Sequence, residues 1–375
     1  MKKTFWFVIA IIVIIIVIVF VSSSNKTSEA QTVKVGWISD LSGSAKKYGA
    51  YEAGKLAEAE INAAGGINGK KLEIVYEDGK CLSKDATNAA TKLITVDKVK
   101  VILGGHCTPE SAAIAPIAEA NKVIMLAGIT SSPVMSNRGK YIFRTTAVST
   151  VQSPMLAKTA YNDMKVRNMA IVFEQTDYAR PIAEVLKSEF EKLGGKVSVY
   201  QGYGTDANDF KTILTKIKAS GAQAVFVSNQ RPDSGINFVK QMNDLGIKAK
   251  LLGNDIMSTM AVVKEIPKLV EGMVFAGPRY DTSANPRTKG FTEKFVKTYN
   301  MDVPFGIFTA ESYDGVYIIA DAIAKYGDDT DKIAEYLSNL KDYQGASGSI
   351  TINAAHDGVR EYVPKIVRNG TIQNY

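Results

Sequence analysis

Cysteine and histidine are scarce in this chain of 375 residues, with two of each. Cys81 and Cys107 are too few for a disulfide-dense scaffold, and His106 and His356 lie far apart. There is no Cys-x-x-Cys, no His-Glu-x-x-His and no Cys/His cluster, so the sequence offers no ligand set for a metal. Also missing are the Gly-x-Ser-x-Gly elbow, the Walker-type phosphate loop and the Gly-x-Gly-x-x-Gly fingerprint, which removes support for esterase, nucleotidase and dinucleotide chemistry. Neither histidine looks placed as a base beside a nucleophile. The reading is therefore of a protein that is not an enzyme and needs no cofactor. Long like-charge runs are absent as well: the net charge of +7 is scattered over polar helix faces, which argues against a nucleic-acid partner.

What is present is ordinary globular usage, 46% apolar and 22% charged, at a length that suggests two domains or three. Lys2 and Lys3 precede Phe5–Val21, an uncharged run rich in Ile and Val, and a small-x-small site follows at Ser28-Glu29-Ala30. This is an export signal. Its core lies between the ~7–15 residues of a signal peptide and the about 17–25 of a spanning helix. Residues 1–30 are thus a cleaved signal peptide or an N-terminal membrane anchor through residues 5–21. No cysteine follows the run, so lipid anchoring is excluded. Either way the two lysines stay in the cytoplasm and the rest of the chain is periplasmic or extracellular. In that oxidising setting Cys81 and Cys107 are expected to pair, stabilising the fold by roughly 3 kcal/mol; two free buried thiols are the alternative.

From Val33 onward, Val/Ile-rich runs alternate with amphipathic stretches. Val33–Ile38, Leu72–Tyr76, Val99–Leu103, Val123–Ala127 and Tyr141–Arg144 read as buried parallel strands, with helices over Tyr48–Ala64, Ser83–Val96 and Pro109–Ala120. A second series has strands at Met169–Phe173, Val197–Tyr200, Ala224–Val227, Leu251–Gly253 and Met273–Ala276. Its helices are Pro181–Leu193, Phe210–Ser220, Ile236–Leu245 and Ser258–Ile266. Two such series imply an α/β protein of two doubly wound, Rossmann-like lobes. Helices Arg287–Tyr299, Phe308–Tyr326 and Thr330–Leu340, then strands Ile350–Ile352 and Tyr362–Val367, cannot form a core alone and should pack onto these lobes. With no Pro/Gly/Ser-rich linker, the lobes should be joined by several short crossings.

Ligands of open α/β sheets sit beyond the carboxyl ends of the strands. In the first lobe those positions carry hydroxyls and small residues, Ser39 to Ser44, Gly104 to Glu110 and Gly128 to Pro133. Thr108-Pro109 reads as the start of a helix with Thr108 as its cap, where free N–H groups, Thr108 and Ser131 can hold a carboxylate without a cation. The plainer alternative makes Thr108 a cap and Ser131 a turn residue. The second lobe offers Glu174 to Tyr178, Ser228 to Arg231 and Asn254-Asp255. Asp255 can pair with an ammonium and Tyr178 can cover an apolar moiety; a cap or a solvated charge is the plainer role for Asp255.

The segments Val33-Lys34-Val35-Gly36, Ser42-Gly43, Tyr48-Gly49 and Ala63-Ala64-Gly65-Gly66-Ile67-Asn68-Gly69-Lys70-Lys71-Leu72 resemble the opening of the branched-chain amino-acid (Leu/Ile/Val) binding proteins, the type I periplasmic solute-binding proteins of ABC importers. The likeness continues through Tyr76-Glu77-Asp78, Cys81, Thr130 to Pro133, Phe143-Arg144-Thr145 and Ala310 to Gly315. It implies two lobes joined by three hinge crossings that close like a clamshell on an amino acid, and it agrees with the disulfide. It assigns residues 31–147 plus 281–348 to lobe 1 and 148–280 plus 349–375 to lobe 2. By motif, Thr108 and Ser131, with the backbone around Ile129 and Thr130, would hold the α-carboxylate and Asp255 the α-ammonium. Tyr48, Tyr178 and Tyr313 would line the side-chain pocket. Gln230 stands where such proteins usually place an aromatic that helps bind the ammonium, and Tyr178-Ala179-Arg180-Pro181 replaces their Tyr-Gly. The implied partners are a small ligand and a membrane permease, with the chain a monomer. A membrane-anchored sensor, or a binder of an amide, urea or an aromatic acid, is the alternative on the same fold.

Overall fold

The computed structural model describes residues 32–280 and 285–375; the export segment and the Phe5–Val21 run lie outside the described residues. The first lobe is built on Val33–Ser39 (β1), Leu72–Asp78 (β2), Val101–Gly104 (β3), Ile124–Ala127 (β4) and Ile142–Arg144 (β5), with helices Ala50–Ala63 (α1), Ser83–Thr95 (α2) and Thr108–Ala120 (α3) between them. The strands are parallel and lie in the order β2-β1-β3-β4-β5. Both faces are covered, as the unbroken apolar runs require. Val35 and Trp37 of β1 pack toward α1, while Ile38 packs among the alanines of α2 and α3.

The chain then enters the second lobe through Gln152–Lys158 (α4). Strands Asn168–Glu174 (β6), Lys196–Tyr203 (β7), Ala224–Ser228 (β8), Lys250–Gly253 (β9) and Val274–Pro278 (β10) follow. They alternate with helices Ala179–Lys192 (α5), Lys211–Ala219 (α6), Pro232–Asp244 (α7) and Met260–Glu265 (α8). The order β7-β6-β8-β9-β10 repeats that of the first lobe. Helices Pro286–Tyr299 (α9), Ile307–Tyr326 (α10) and Thr330–Ser338 (α11) return to the first lobe, α10 lying over β3 and β4 beside α1. A hairpin of Tyr343–Gly345 (β11) and Gly348–Ile350 (β12) precedes Tyr362–Arg368 (β13) and Thr371–Asn374 (β14), which extend the second sheet antiparallel beyond β10.

The chain thus passes between the lobes after β5, after β10 and after β12. The first and third crossings lie side by side: Gly358 N–H donates to Thr146 O at 3.0 Å, and a Cβ on Gly358 would fall 1.9 Å from Thr145 O. A buried ion pair, Arg144 Nε to Asp357 Oδ1 at 2.7 Å, ties the same two segments.

Several sequence-based bounds need correction. The helix expected from Tyr48 starts at Ala50, because Gly49 takes a left-handed φ of 73° and ends a 3-10 turn over Ser44–Tyr48. That break lets Tyr48 leave the helix face. The helix expected over Ser258–Ile266 divides likewise into a 3-10 turn, Asp255–Ser258, and α8. The strand expected at Ile350–Ile352 is β12 instead, since hairpin pairing with β11 sets its register and Ile352 makes only an isolated bridge to Gly358. α4, β11 and β14 were not anticipated from the sequence.

Candidate ligand-binding site between the lobes

In each sheet the winding direction reverses at one point, between β1 and β3 and between β6 and β8. Loops diverge there and leave a crevice. The two crevices face each other across a narrow slot whose free volume is about 20 Å3 in this closed form. Tyr48, His106, Cys107, Thr108, Ile129, Thr130, Ser131, Phe305 and Phe308 line it on one side; Tyr178, Gln230, Asp255 and Ile256 line it on the other.

The first-lobe wall is rigid because its own polar groups hold it. Cys81 and Cys107 are bridged, with their Cα atoms 5.3 Å apart. Glu110, fully buried, accepts from Cys81 N–H at 2.9 Å through Oε1 and from His106 N–H at 2.9 Å and Cys107 N–H at 3.2 Å through Oε2. Burial pushes its carboxyl up to about 7, against the pull of those three bonds. The N-cap of α3 is therefore Cys107 rather than Thr108. This corrects the expected cap and frees Thr108: as the first helical residue it has an N–H without an intrahelical acceptor. The hydroxyls of Thr108 and Ser131 have no hydrogen-bond partner among the described residues, and both are buried at the slot. Thr130 differs. Its Oγ1 donates to Gly105 O at 2.6 Å and meets Ser111 Oγ at 2.7 Å, so it shapes the wall and only its backbone faces a ligand. Arg144, which sequence reasoning did not single out for the site, fixes that loop by donating to Thr130 O at 3.2 Å and Ser132 O at 2.6 Å. A lone arginine ending the apolar run Tyr141–Phe143 was the available signal, because a buried charge has to be paired.

The second-lobe wall carries charge. Asp255 is 2% exposed, and Tyr178 Oη donates to its Oδ1. Burial pushes the Asp255 carboxyl above the usual carboxylate range, with the Tyr178 bond opposing. Burial also pushes the Tyr48 and Tyr178 hydroxyls far up, so both remain donors. Gln230 N–H donates to Glu174 Oε2 at 2.9 Å, and its carbonyl accepts from Tyr48 Oη at 2.9 Å. This last bond crosses the cleft. So do Ser132 Oγ to Asp177 O at 2.5 Å, Met260 N to Pro304 O at 2.9 Å and the Lys264–Asp302 ion pair at 2.6 Å. The conformation is closed.

Tyr48, Thr108, Ile129, Thr130, Ser131, Tyr178, Gln230 and Asp255 are thus brought together as expected residues of one slot. Tyr313 is not. Its hydroxyl donates to Glu60 Oε2 at 2.5 Å and its ring packs 4.8 Å from Phe291, on the side of α10 that faces α1 and α9. Phe308, five residues earlier on the same helix, faces the slot instead, because five steps of about 100° turn Tyr313 roughly 140° away. Phe305 and Phe308, centroids 4.5 Å apart, form an aromatic wall with Tyr48, which sequence reasoning missed. His106 stacks 5.5 Å from Trp37, and burial lowers it to about 4, so it is neutral. Among the described residues there is no cluster of three or more His, Cys, Asp or Glu suited to a metal, and no helix long and apolar enough to cross a membrane.

Comparison with known proteins places this architecture. The sequence matches the family described as periplasmic binding protein over residues 32–363. It is 31% identical to the leucine-, isoleucine-, valine-, threonine- and alanine-binding protein of Pseudomonas aeruginosa, over 82% of each chain. Among solved structures it is similar to a branched-chain amino acid transporter substrate-binding protein of Streptococcus pneumoniae in complex with isoleucine. That similarity has a TM-score of 0.85 and 25% identity, covering 92% of this chain and 98% of that one. It is also similar to a leucine-binding protein of Thermotoga maritima, with a TM-score of 0.84 and 26% identity, covering 92% and 97%. The chain, with its two like-wound lobes closed over a small slot, belongs to the periplasmic binding protein family of solute-binding proteins.

Proposed function

We propose that this protein captures a small α-amino acid outside the cytoplasmic membrane, by clamshell closure, and presents it to the permease of an ABC importer. One observation carries the reading: the slot has two chemically opposite ends, a buried carboxylate at Asp255 and an uncharged carboxylate-binding edge at Thr108, Ser131 and the start of α3. A zwitterion matches both. Its ammonium pairs with Asp255, and its carboxylate takes the two hydroxyls and the free N–H of Thr108. Tyr48, Ile129, Ile256, Phe305 and Phe308 bound a space for a short side chain.

The moving bodies are residues 31–147 with 281–348 and residues 148–280 with 349–375, a division that the membership of the two large sheets supports save that the third crossing follows β12 and so falls after Ile350. The ligand first meets the neutral wall, and Asp255 engages only as the hinges bend, so the guest favours the closed state. Residues 5–21 either direct export or hold the protein at the membrane, and the closed monomer is what the permease recognises. The relatives that bind leucine, isoleucine, valine, threonine and alanine support an amino acid of that size. Isothermal titration with leucine, isoleucine, valine, threonine and alanine tests the reading: micromolar or tighter binding of at least one is expected, and no heat with any of them would overturn it.

A further inference from the structure

Most polar groups of the slot already have a role. The Tyr48 hydroxyl is engaged by Gln230 O, that of Tyr178 by Asp255 and that of Thr130 by Gly105 O. Thr108 and Ser131 serve a carboxylate and Asp255 an ammonium. Two side chains are left over, the His106 ring, whose Nδ1 is buried without a partner among the described residues but which stacks on Trp37 and is neutral, and the carboxamide of Gln230. This residue is 8% exposed, yet its Oε1 is buried with no partner among the described residues. Its backbone is clamped from both directions, by Glu174 below and Tyr48 across the cleft, which fixes where the side chain leaves the chain. Glu174 is itself held by Ser234 Oγ at 3.1 Å. The Tyr48 ring that meets Gln230 lies 4.9 Å from Phe305, which continues to Phe308. Gln230 is therefore the polar end of an otherwise aromatic wall, where the ligand's side chain would lie.

A carboxamide brings acceptor lone pairs and two N–H donors. Closed over a purely aliphatic side chain, it would stay unsatisfied in a desolvated site. We propose that Gln230 is the specificity-determining residue of the slot, and that the protein prefers α-amino acids whose short side chain carries a hydroxyl or a carboxamide over their aliphatic isosteres. This rests on the amino-acid reading above and narrows it. A site built around a hydrogen bond discriminates strongly against the analogue that lacks the bonding group, whereas an apolar pocket barely rejects an added hydroxyl.

Titration of the full chain with two isosteric pairs, threonine against valine and asparagine against leucine, tests this. The polar member is expected to bind about tenfold tighter or more in at least one pair, and which pair responds assigns hydroxyl or carboxamide. In Gln230→Met, of similar length but apolar, that ratio should fall to one or invert. Valine and leucine equalling or exceeding their isosteres in the unmodified chain would overturn the proposal. So would a Gln230→Met variant that weakens every ligand alike and keeps the ratio. The unmodified chain decides alone if the variant does not fold. No heat with any amino acid would overturn the amino-acid reading and this proposal together, so the two failures are distinct.

Discussion

The two walls of the slot have the same winding and opposite electrostatics. The first-lobe wall keeps its charges turned onto its own backbone: Asp40 accepts from Ala45 N–H at 3.0 Å, Glu110 braces the disulfide, and Arg144 binds two loop carbonyls. What it presents to the slot is neutral, and so it can stand open to water at no electrostatic cost. The second-lobe wall presents Asp255 itself. A carboxylate taken out of water is unfavourable unless a cation meets it. The neutral wall is thus suited to receive a ligand and the charged wall to report that it has arrived, because only an ammonium makes burial of Asp255 favourable. Closure is biased by this difference in affinity between states.

The harshest way to break the comparison is to remove the charge. Asp255→Asn should weaken amino-acid binding by about 100- to 1000-fold, the measure of a buried ion pair that has lost one member. The unliganded Tm should stay level or rise, since the substitution removes a desolvated acid. Titration calorimetry beside thermal melts reads both; parallel losses would make Asp255 a structural residue instead. The same charge sets a pH dependence. Burial raises the folded-state pKa of Asp255, and it raises Glu110 to about 7, so the folded state binds more protons than the unfolded one. The stability these groups contribute is complete below the ordinary carboxylate pKa of about 4 and is lost as pH rises through their folded values. Glu311, which burial also raises to about 7, acts in the same sense, while His106, lowered to about 4, opposes it up to about pH 6.5, so the unliganded Tm should decline chiefly from about pH 6.5 to pH 8. Ligand affinity should climb as pH rises through the raised Asp255 value, because the ammonium needs Asp255 ionised. In Asp255→Asn the climb disappears while the Tm decline persists through Glu110.

The contrast also explains what could be read from sequence. Strands such as Val33–Ser39 and Asn168–Glu174 are buried on both faces, so their apolar runs are unbroken and bounded by turn residues. Two such series fix the winding and thereby the carboxyl-end loops that carry Thr108, Ser131 and Asp255. What stayed hidden depends on contacts remote in sequence. α4 buries Gln152, Ser153, Leu156 and Ala157, a face too polar to show a period. β14 exists because β13 offers it an edge, not because Thr371–Asn374 favours a strand. The cap of α3 passed from Thr108 to Cys107 through Glu110, whose role is visible only once Cys81 is near. Phe305 and Phe308 lie in a section without strand-to-helix turns, so no rule for loop ends points to them.

Next in size is the brace of the neutral wall. Cys81→Ser with Cys107→Ser should lower stability by roughly 3 kcal/mol, the loop-closure value for this separation. The effect on affinity should be small, under about tenfold, because Glu110 still gathers the N–H groups of residues 81, 106 and 107. Denaturant melts and calorimetry with and without reductant separate the two quantities. A loss of affinity as large as that of Asp255→Asn would mean that the disulfide, not Glu110, positions Thr108.

The smallest effect on binding is expected at Tyr313, and it sharpens where the side-chain pocket ends. The family resemblance puts this tyrosine in the pocket, whereas the structure gives its hydroxyl to Glu60, shared with Tyr317 at 2.8 Å and with Lys294 at 2.9 Å. Tyr313→Phe removes one bond to a carboxylate in a half-buried cluster. It should cost about 1–2 kcal/mol of stability and leave amino-acid affinity within about twofold. Phe308→Ala, one and a half turns earlier, removes part of the aromatic wall and should weaken binding by about tenfold or more. The pair is informative because both residues are aromatic and sit on α10 but face different ways, one toward the slot and one toward α1 and α9. If Tyr313→Phe lost affinity as Phe308→Ala does, while its melting curve stayed unchanged, the pocket would run along the helix rather than stop at its first turn, and the slot would admit a longer guest than its volume suggests.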